Sequence, residues 1–378
     1  MRLADSATLA EFARGEHVMT VCNACRYCEQ YCPVFPAMEE RVLFAKADLT
    51  YLANLCHNCG ECLYACQFAP PHEFGINVPQ TLARIRVRSY ENHSWPPSLG
   101  AAFRHHGVAT ALGLAGVLTL LMLVATWVMN PEGLRPPSGD FYAVVPHGVM
   151  VSLFGSVGIF VLVALGMGLR GFWGEIQSGP AFAPARLDGR FGAAGLSVAD
   201  TRHALRDALT LRHLHTTGVD CTTAEETRRP WRRWFHHCTL YGFMLCFAST
   251  SVAAIYHIVF GWHAPYAYTS LPVLLGTVGG LGLLIGPAGL LAVRRQRDPD
   301  LGDADQKGLD EAFIVLLWLT SLTGLVLLVL RAQGAMGVLL VIHLGAVLAL
   351  FLTLPYGKFV HGIYRTAALL KYATESRR

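Results

Sequence analysis

Eight of the 11 cysteines lie within the first 66 residues and form two runs with the same spacing. Both runs read C-x2-C-x2-C-x3-C: the first contains Cys22, Cys25, Cys28 and Cys32, and the second contains Cys56, Cys59, Cys62 and Cys66. Three thiolates spaced by two residues can surround three irons of a cubane, and soft thiolates are the ligands that iron–sulfur clusters select. Structural zinc sites instead use two CxxC pairs. The two runs therefore predict two [4Fe–4S] clusters.

The fourth cysteine of each run has a separate role, because in two-cluster domains it binds the cluster of the other run. On this rule one cluster is held by Cys22, Cys25, Cys28 and Cys66, and the other by Cys56, Cys59, Cys62 and Cys32. The second run departs from the usual pattern, since Gln67 stands where the first run has Pro33. Helix-forming residues between the runs, Ala37–Leu55, favour an all-helical two-cluster domain over a compact ferredoxin with β-strands.

The rest of the chain contains six apolar stretches long enough for a helix to cross a bilayer, which takes about 20 residues. The stretches are Gly107–Met129, Val145–Leu169, two within Cys238–Val293 that separate near Gly261–Pro272, Ala312–Leu330 and Ala335–Gly357. Charged residues make up 15% and hydrophobic residues 53% of the chain, which excludes a disordered, coiled-coil or nucleic-acid-binding protein. We predict an all-α protein: an N-terminal helical two-cluster [4Fe–4S] ferredoxin domain followed by a six-helix transmembrane bundle. Cys238 and Cys246 are expected to pack as small apolar residues in the third span, and Cys221 has no assigned role.

The positive charges predict the orientation of the bundle, because cytoplasmic loops are enriched in Lys and Arg. If there are six spans, 28 of the 30 Lys and Arg residues fall on one side. We expect a multi-pass protein of the inner (cytoplasmic) membrane with both termini in the cytoplasm. The predicted divisions are a ferredoxin-like domain at 1–100, two membrane helices at 101–169, a cytoplasmic loop at 170–237, and four membrane helices with a cytoplasmic tail at 238–378. Within the loop, Val198–Leu214 has the pattern of a helix.

Two clusters joined to six spans imply that electrons pass into the membrane, either to haem b or directly to quinone. Haem b in a helical bundle needs histidine pairs from different helices at matching depth. His343 lies inside the sixth span, and His361 follows 18 residues later on the same expected helix, which places both on one face about 27 Å apart. The histidines that could face them are His147 and His257 near the outer side, and His236 and His237 at the inner start of the third span.

These positions predict one or two haems b. His257 or His147 would pair with His343, and His236 or His237 would pair with His361. In the alternative, the histidines at the span ends are ordinary interfacial residues, and the bundle is a quinone-reactive anchor without haem. His343 is the strongest candidate, because an ionisable residue in the middle of a membrane marks a functional site by default.

The two cysteine runs, the six spans that end with His343 and His361, and the long basic loop between spans two and three together resemble the tricarballylate/citrate utilisation protein B family. The resemblance covers essentially the whole chain. It implies a membrane iron–sulfur protein with haem that reoxidises the reduced FAD of a partner dehydrogenase and passes electrons to the quinone pool. It also implies that this partner oxidises tricarballylate to cis-aconitate. More loosely, the bundle resembles the haem-bearing gamma subunit of respiratory nitrate reductase.

We interpret the chain as an electron-transfer subunit without an organic-acid substrate site of its own. An FAD-dependent dehydrogenase would dock on the cytoplasmic face, and a membrane quinone would accept the electrons. One alternative is an iron–sulfur and haem subunit that serves another dehydrogenase or a heterodisulfide-type reductase. A transporter with a regulatory iron–sulfur domain is disfavoured, because the apolar stretches contain no acidic residue to relay protons or cations.

Overall fold

The computed structural model describes residues 6–134, 140–179, 197–214 and 230–377. These residues form helices joined by turns, and they contain no β-strand. The helices of the N-terminal domain are α1 (Ser6–Cys25), α2 (Val34–Glu39), α3 (Lys46–Leu55), α4 (Glu61–Tyr64) and α5 (Val78–His93). The predicted all-α fold is confirmed, and helices α2 and α3 occupy the interval between the two cysteine runs. Cys221 lies outside the described residues.

The rest of the described chain supplies the membrane helices and three shorter ones. In chain order the helices are α6 (Pro97–Met129), α7 (Phe141–Val144), α8 (His147–Gln177), α9 (Val198–Leu209), α10 (Trp231–Phe260), α11 (Leu271–Arg295), α12 (Ala304–Leu330), α13 (Met336–Thr353) and α14 (Val360–Ser376). The helices that are long and apolar enough to cross a membrane are α6 from Gly107, α8, α10, α11, α12 from Lys307, and α13. The prediction of six membrane helices in this order is confirmed.

The second membrane helix, α8, is longer than its apolar stretch and continues past Leu169 into the N-terminal domain. Its last turns are held there by polar contacts and by ring packing. Glu175 accepts a hydrogen bond from Thr50 at 2.9 Å and lies 3.0 Å from Nε2 of His93. The ring of Phe172 is fully buried in the core of that domain. The helix therefore connects the membrane part rigidly to the N-terminal domain.

The prediction that His343 and His361 share one helix is wrong. Helix α13 ends at Thr353, and α14 begins at Val360 after a series of turns. Pro355 explains the break, because proline has no N–H to donate and its ring clashes with the carbonyl group four residues earlier. The amide of Gly357 donates a hydrogen bond to the carbonyl oxygen of Thr353 at 2.9 Å. His361 therefore lies on a separate helix and not five turns below His343.

Helix α14 packs against the N-terminal domain. Tyr364, near its start, stacks on Phe172 of α8 with ring centroids 4.6 Å apart, and both rings belong to the core of the N-terminal domain. At the other end of α14, Glu375 accepts hydrogen bonds from Arg41 at 2.8 Å and from the hydroxyl group of Tyr51 at 3.1 Å. The C-terminal helix is thus part of the domain that carries the cysteines.

Within the bundle, α6 packs on α12 and α13, while α10 packs mainly on α11, which in turn packs on α12. Glycines allow the close approach of α10 and α11. A Cβ atom added to Gly279 would lie 2.8 Å from the backbone of Gly242 and Cys246, and one added to Gly242 would lie 2.9 Å from the carbonyl oxygen of Gly279.

The basic segments that the charge pattern places together do meet around the N-terminal domain. From the segment between α11 and α12, Asp303 lies 3.4 Å from Arg84 of α5. Helix α9, from the long loop, packs on α14, and its Asp200 lies 2.6 Å from Arg377. These contacts place both ends of the described chain on one side of the bundle. Which side of a membrane this is stays a prediction.

Candidate functional site

Five cysteines line one cavity in the N-terminal domain, and Cys62 is one of them. The other four act on one another, and we call them the first set: Cys22, Cys25, Cys28 and Cys66. The end of α1 supplies the first two, the turn after it supplies the third, and the turn after α4 brings in the fourth. The rest of the wall is largely apolar, with Phe35, Phe68 and Ile76 among its residues. Gln67, which replaces the expected proline, points its amide towards the sulfur of Cys25 at 3.9 Å.

The remaining four cysteines of the two runs also face one another, and we call them the second set: Cys32, Cys56, Cys59 and Cys62. Burial raises the pKa of the Cys62 thiol well above its usual range, and the thiols of Cys59, Cys32 and Cys56 raise it further. The pKa of Cys32 is raised by burial and then by Cys59 and Cys56. The fourth cysteine of each run thus joins the first three of the other run. These are the sets that the spacing predicts, and their binding of iron stays a prediction.

The two runs also share a backbone feature. The residue after the second cysteine has a positive φ in both, with 56° at Arg26 and 96° at Gly60. This left-handed conformation is uncommon for residues other than glycine. It reverses the chain direction between the second and third cysteines, so that both can face the same cavity. The repeated spacing therefore produces a repeated turn.

The chemistry of the first set fits a cluster of several irons. Burial, and then the thiols of Cys66, Cys28 and Cys25, raise the pKa of Cys22 to about 12. Thiolates at this site therefore need a compensating positive charge, which bound iron would supply. Among the described residues, no three metal-binding side chains converge closely enough to hold a single ion. The four cysteines of the first set provide the number and type of ligands that one cubane cluster needs.

Three arginines from the membrane part contact the backbone of the second cysteine run. Arg232 of α10 donates to the carbonyl oxygens of His57 and Asn58, both at 3.0 Å. Arg297, which follows α11, donates to the same oxygen of Asn58 at 2.7 Å. Arg365 of α14 donates to the carbonyl oxygen of Cys56 at 2.8 Å. We call these three residues the arginine clamp.

Positive charge accumulates around the arginine clamp. Burial, and then the positive charge of Arg86, lower the pKa of Arg365 to about 10. The pKa of Arg297 is lowered to about 9, first by burial and then by Arg232 and Arg294. Both guanidinium groups keep their charge near neutral pH. The second set is therefore the one that faces the membrane helices, in strongly basic surroundings.

One pair of the expected haem histidines is brought together at the end of the bundle that meets the N-terminal domain, which the positive charges predict to be the inner end. The rings of His236 on α10 and His361 on α14 have centroids 5.9 Å apart, at an angle of 65°. Nδ1 of His361 donates to the carbonyl oxygen of Lys358, which leaves Nε2 available to a metal. Nδ1 of His236 is buried and has no hydrogen-bond partner among the described residues. His237 faces elsewhere, with Nε2 3.3 Å from the carbonyl oxygen of Thr210.

Burial lowers the pKa of His361 well below its usual range, and the positive charges of Lys358 and Arg365 lower it further. The imidazole is therefore neutral at physiological pH, which is the form that binds a metal. Each ring would offer one nitrogen to a haem iron, so the residues present at this end fit a haem.

The outer histidines are arranged differently. His147 and His257 stack face to face, with centroids 3.8 Å apart at an angle of 18°. His263 joins them, with its Nδ1 3.1 Å from Nδ1 of His257, and the ring of Tyr142 lies 5.1 Å from that of His257. Stacked rings at this distance leave no room for an iron between them. His263 did not figure among the candidate residues, because it follows the third span.

His343 is a residue of α13 and faces α12. It does not lie beside the outer histidines. Its Nδ1 is 3.1 Å from Oγ1 of Thr323, and a Cβ atom added to Gly324 would lie 2.8 Å from its Cε1. Among the described residues, no other histidine ring lies against it. The structure thus pairs His236 with His361, and it does not pair His147 or His257 with His343.

Two family models match the chain on either side of residue 100. The Fer4-like domain of citrate utilization protein B matches residues 15–92, and citrate utilization protein B itself matches residues 104–378. The citrate utilization protein B of Escherichia coli is 50% identical over 370 residues, which cover 97% of this chain and 93% of that protein.

The chain belongs to the citrate utilization protein B family. The family that the cysteine runs and spans resemble is thereby confirmed. No solved structure matches the chain. The Fer4-like match supports the binding of iron–sulfur clusters by the N-terminal domain, within the region that contains both sets of cysteines.

The arginine clamp is the part of the site that the sequence alone did not indicate. The basic run Arg228–Arg233 has the composition of an ordinary topology anchor, and Arg297 and Arg365 stand in separate segments. The three residues meet because the start of α10, the segment after α11 and the first turns of α14 all lie against the second cysteine run. Their spacing along the chain carries no signal of that meeting.

Proposed function

We propose that this protein carries electrons from the reduced FAD of a partner dehydrogenase to a membrane quinone. The observation that supports it best is the placement of two four-cysteine sets in a helical domain fused to six membrane helices. When bound, two [4Fe–4S] clusters would supply one-electron carriers, which lets the two electrons of reduced FAD leave one at a time. The quinone takes up two electrons and two protons to become quinol.

The first set, Cys22, Cys25, Cys28 and Cys66, would hold the cluster that receives electrons. The second set, Cys32, Cys56, Cys59 and Cys62, would hold the cluster that passes them on. This order rests on position, since the arginine clamp joins the second set to the membrane helices. The cavity of the first set is lined by Tyr27, whose side chain is 67% exposed to solvent.

A surface beside the first set has the character of a docking site for the flavoprotein. Tyr27, Val42 and Leu43 are all large and exposed, with Val42 at 70% and Leu43 at 61%. The amide of Asn23 donates to the carbonyl oxygen of Arg41 at 2.8 Å, which holds this segment against the first cysteine run. We call Tyr27, Val42 and Leu43 the docking patch. Exposed apolar side chains beside a redox site are typical of a protein interface.

His236 and His361 would hold a haem b at the inner end of the bundle, close to the second set. Each would offer a ring nitrogen to the iron, and Lys358 orients the ring of His361 through its carbonyl oxygen. The second haem of the sequence-based scheme has no equally arranged pair among the described residues. We therefore propose one haem at the inner pair.

The family connects the protein with the use of citrate, since the relative from Escherichia coli is named citrate utilization protein B. The family resemblance implies tricarballylate dehydrogenase as the partner. We propose that this FAD enzyme docks on the cytoplasmic face of the inner membrane, where 28 of the 30 Lys and Arg residues would place both termini.

The test is to purify the full chain anaerobically in detergent and to measure iron, haem and reducibility together. We expect about eight non-haem irons per chain, from two four-iron clusters, and a haem b band in the reduced-minus-oxidised spectrum. Reduced tricarballylate dehydrogenase should reduce the clusters and the haem, and a quinone analogue should reoxidise them. Protein that binds no iron, or that a quinone cannot reoxidise, would rule the proposal out.

A further inference from the structure

The arginine clamp concentrates positive charge next to the second cysteine run. In the described part of the chain, none of its three arginines forms an ion pair with a carboxylate. The nearby carboxylate of Asp310 is shared by Arg294 and Lys358 instead. Charges removed from water are costly unless they are paired. The arrangement therefore calls for an anion at the second cysteine run.

A [4Fe–4S] cluster with four thiolate ligands would be that anion. It carries negative charge and gains one more negative charge when it is reduced. Positive charge nearby stabilises the reduced form more than the oxidised form, so it raises the reduction potential. Hydrogen bonds to the ligand sulfurs act in the same direction. The loop held by the clamp contains one of these, from the amide of Asn58 to the sulfur of Cys56 at 3.3 Å.

The surroundings of the first set differ in their charge. The cavity that Cys22, Cys25, Cys28 and Cys66 line has no charged residue in its described wall. Arg26, in the first cysteine run, donates its Nε hydrogen to the carbonyl oxygen of Asn23 and is exposed. The three arginines of the clamp, in contrast, come from three separate elements and all point at residues 56–58. The asymmetry is built into the fold.

We propose that Arg232, Arg297 and Arg365 raise the reduction potential of the second cluster above that of the first, and so direct electrons towards the membrane. The inference rests on the proposed function, because it assumes that both sets hold clusters. The difference in potential favours the transfer of one electron from the first cluster to the second. The first cluster is thereby oxidised and the second is reduced. No bond is made or broken in this step, and no proton is transferred.

The experiment is a redox titration followed by electron paramagnetic resonance, on the full-length protein in detergent with both clusters present. The variants are Arg232→Gln, Arg297→Gln and Arg365→Gln, each measured alone. We expect each variant to lower the reduction potential of the second cluster. The equilibrium ratio of electrons on the second cluster to electrons on the first should then fall at least tenfold. That shift corresponds to about 59 mV for a one-electron couple. The potential of the first cluster should not change.

Arg233→Gln is the matched control. Arg233 is the next residue of the same helix, but it donates to the carbonyl oxygen of Thr210 at 2.9 Å and not to residues 56–58. The substitution Arg233→Gln removes one positive charge from the same basic run as Arg232→Gln. We expect both cluster potentials to stay at their wild-type values. A shift of the second cluster as large as that in Arg232→Gln would overturn the inference.

Lysine variants separate charge from folding. Arg232→Lys and Arg365→Lys keep the positive charge, so they should retain most of the wild-type difference between the clusters even if a glutamine variant assembles its second cluster poorly. Equal losses in the lysine and glutamine variants would overturn the electrostatic role. Unchanged potentials in all glutamine variants would overturn the inference and leave the proposed function intact. A wild-type protein without two clusters would overturn both.

Discussion

Single side chains at the inner end of the bundle decide whether it can bind a haem. His236 and His361 face each other, while His237, the neighbour of His236 in sequence, is turned to the carbonyl oxygen of Thr210. The sequence allowed either His236 or His237 as the partner of His361. Only the rotation of α10 about its axis decides between them, and that rotation depends on packing against α11.

The first prediction concerns this pair. His361→Ala and His236→Ala should each remove the haem b band, because each substitution removes one of the two histidines that would hold the haem iron. His237→Ala should keep the band, and all three should keep their non-haem iron. Reduced-minus-oxidised spectra with parallel iron analysis provide the measurement. Haem retained in His361→Ala would exclude the inner pair as its ligands.

The second prediction tests the exchange of the fourth cysteines between the runs. Cys66→Ser removes a ligand from the first set, although Cys66 belongs to the second run in sequence. We expect the iron content to fall from about eight to about four per chain. The remaining resonance signal should be that of the second cluster, which responds to Arg365→Gln. Cys32→Ser is the reciprocal variant and should leave only the signal that is insensitive to Arg365→Gln; the opposite result would mean that each run binds its own cluster.

The positions of the helices were easier to predict from the sequence than their continuity and their arrangement in space. The six spans follow from apolar stretches of about 20 residues, which bilayer thickness selects. The continuous helix through His343 and His361 was predicted wrongly, although Pro355 stands between them in the printed sequence. Apolar periodicity continues across a proline, so hydropathy alone extends the helix. The loss of a backbone donor and the clash of the ring decide the break.

The third prediction addresses the contact between α10 and α11. Gly279→Ala should destabilise the protein by about 1–3 kcal/mol, because its Cβ atom would meet backbone atoms of Gly242 and Cys246 at 2.8 Å. Backbone atoms cannot move aside as a flexible side chain can. Gly155→Ala on α8 is the control, since nothing lies within 4 Å of its Cβ position. Thermal unfolding in detergent should show a lower Tm for the first variant and an unchanged or higher Tm for the second.

At the scale of the whole molecule, the membrane part and the N-terminal domain form one structure. Helix α8 ends inside that domain, α14 packs on its core, and the arginine clamp binds the second cysteine run. The sequence predicted the two parts and the side on which they meet. It did not predict the interface between them, because its residues come from segments far apart in the chain. The interface gives the molecule a direction, with the first set beside the exposed docking patch at one end and the second set held against the membrane helices at the other.

The fourth prediction follows from that direction. Val42→Asp places a charge in the docking patch, where we propose that reduced tricarballylate dehydrogenase binds beside the first set. The rate of electron transfer from this enzyme should fall about tenfold or more, as at a central interface position. Reduction by dithionite, which needs no docking, should proceed as in the wild type. Leu9→Asp is the control, because Leu9 is 62% exposed on α1 but lies outside the patch. Equal rates for Val42→Asp and wild type would place the dehydrogenase on another surface, and electrons would then enter by a route that does not begin at the first set.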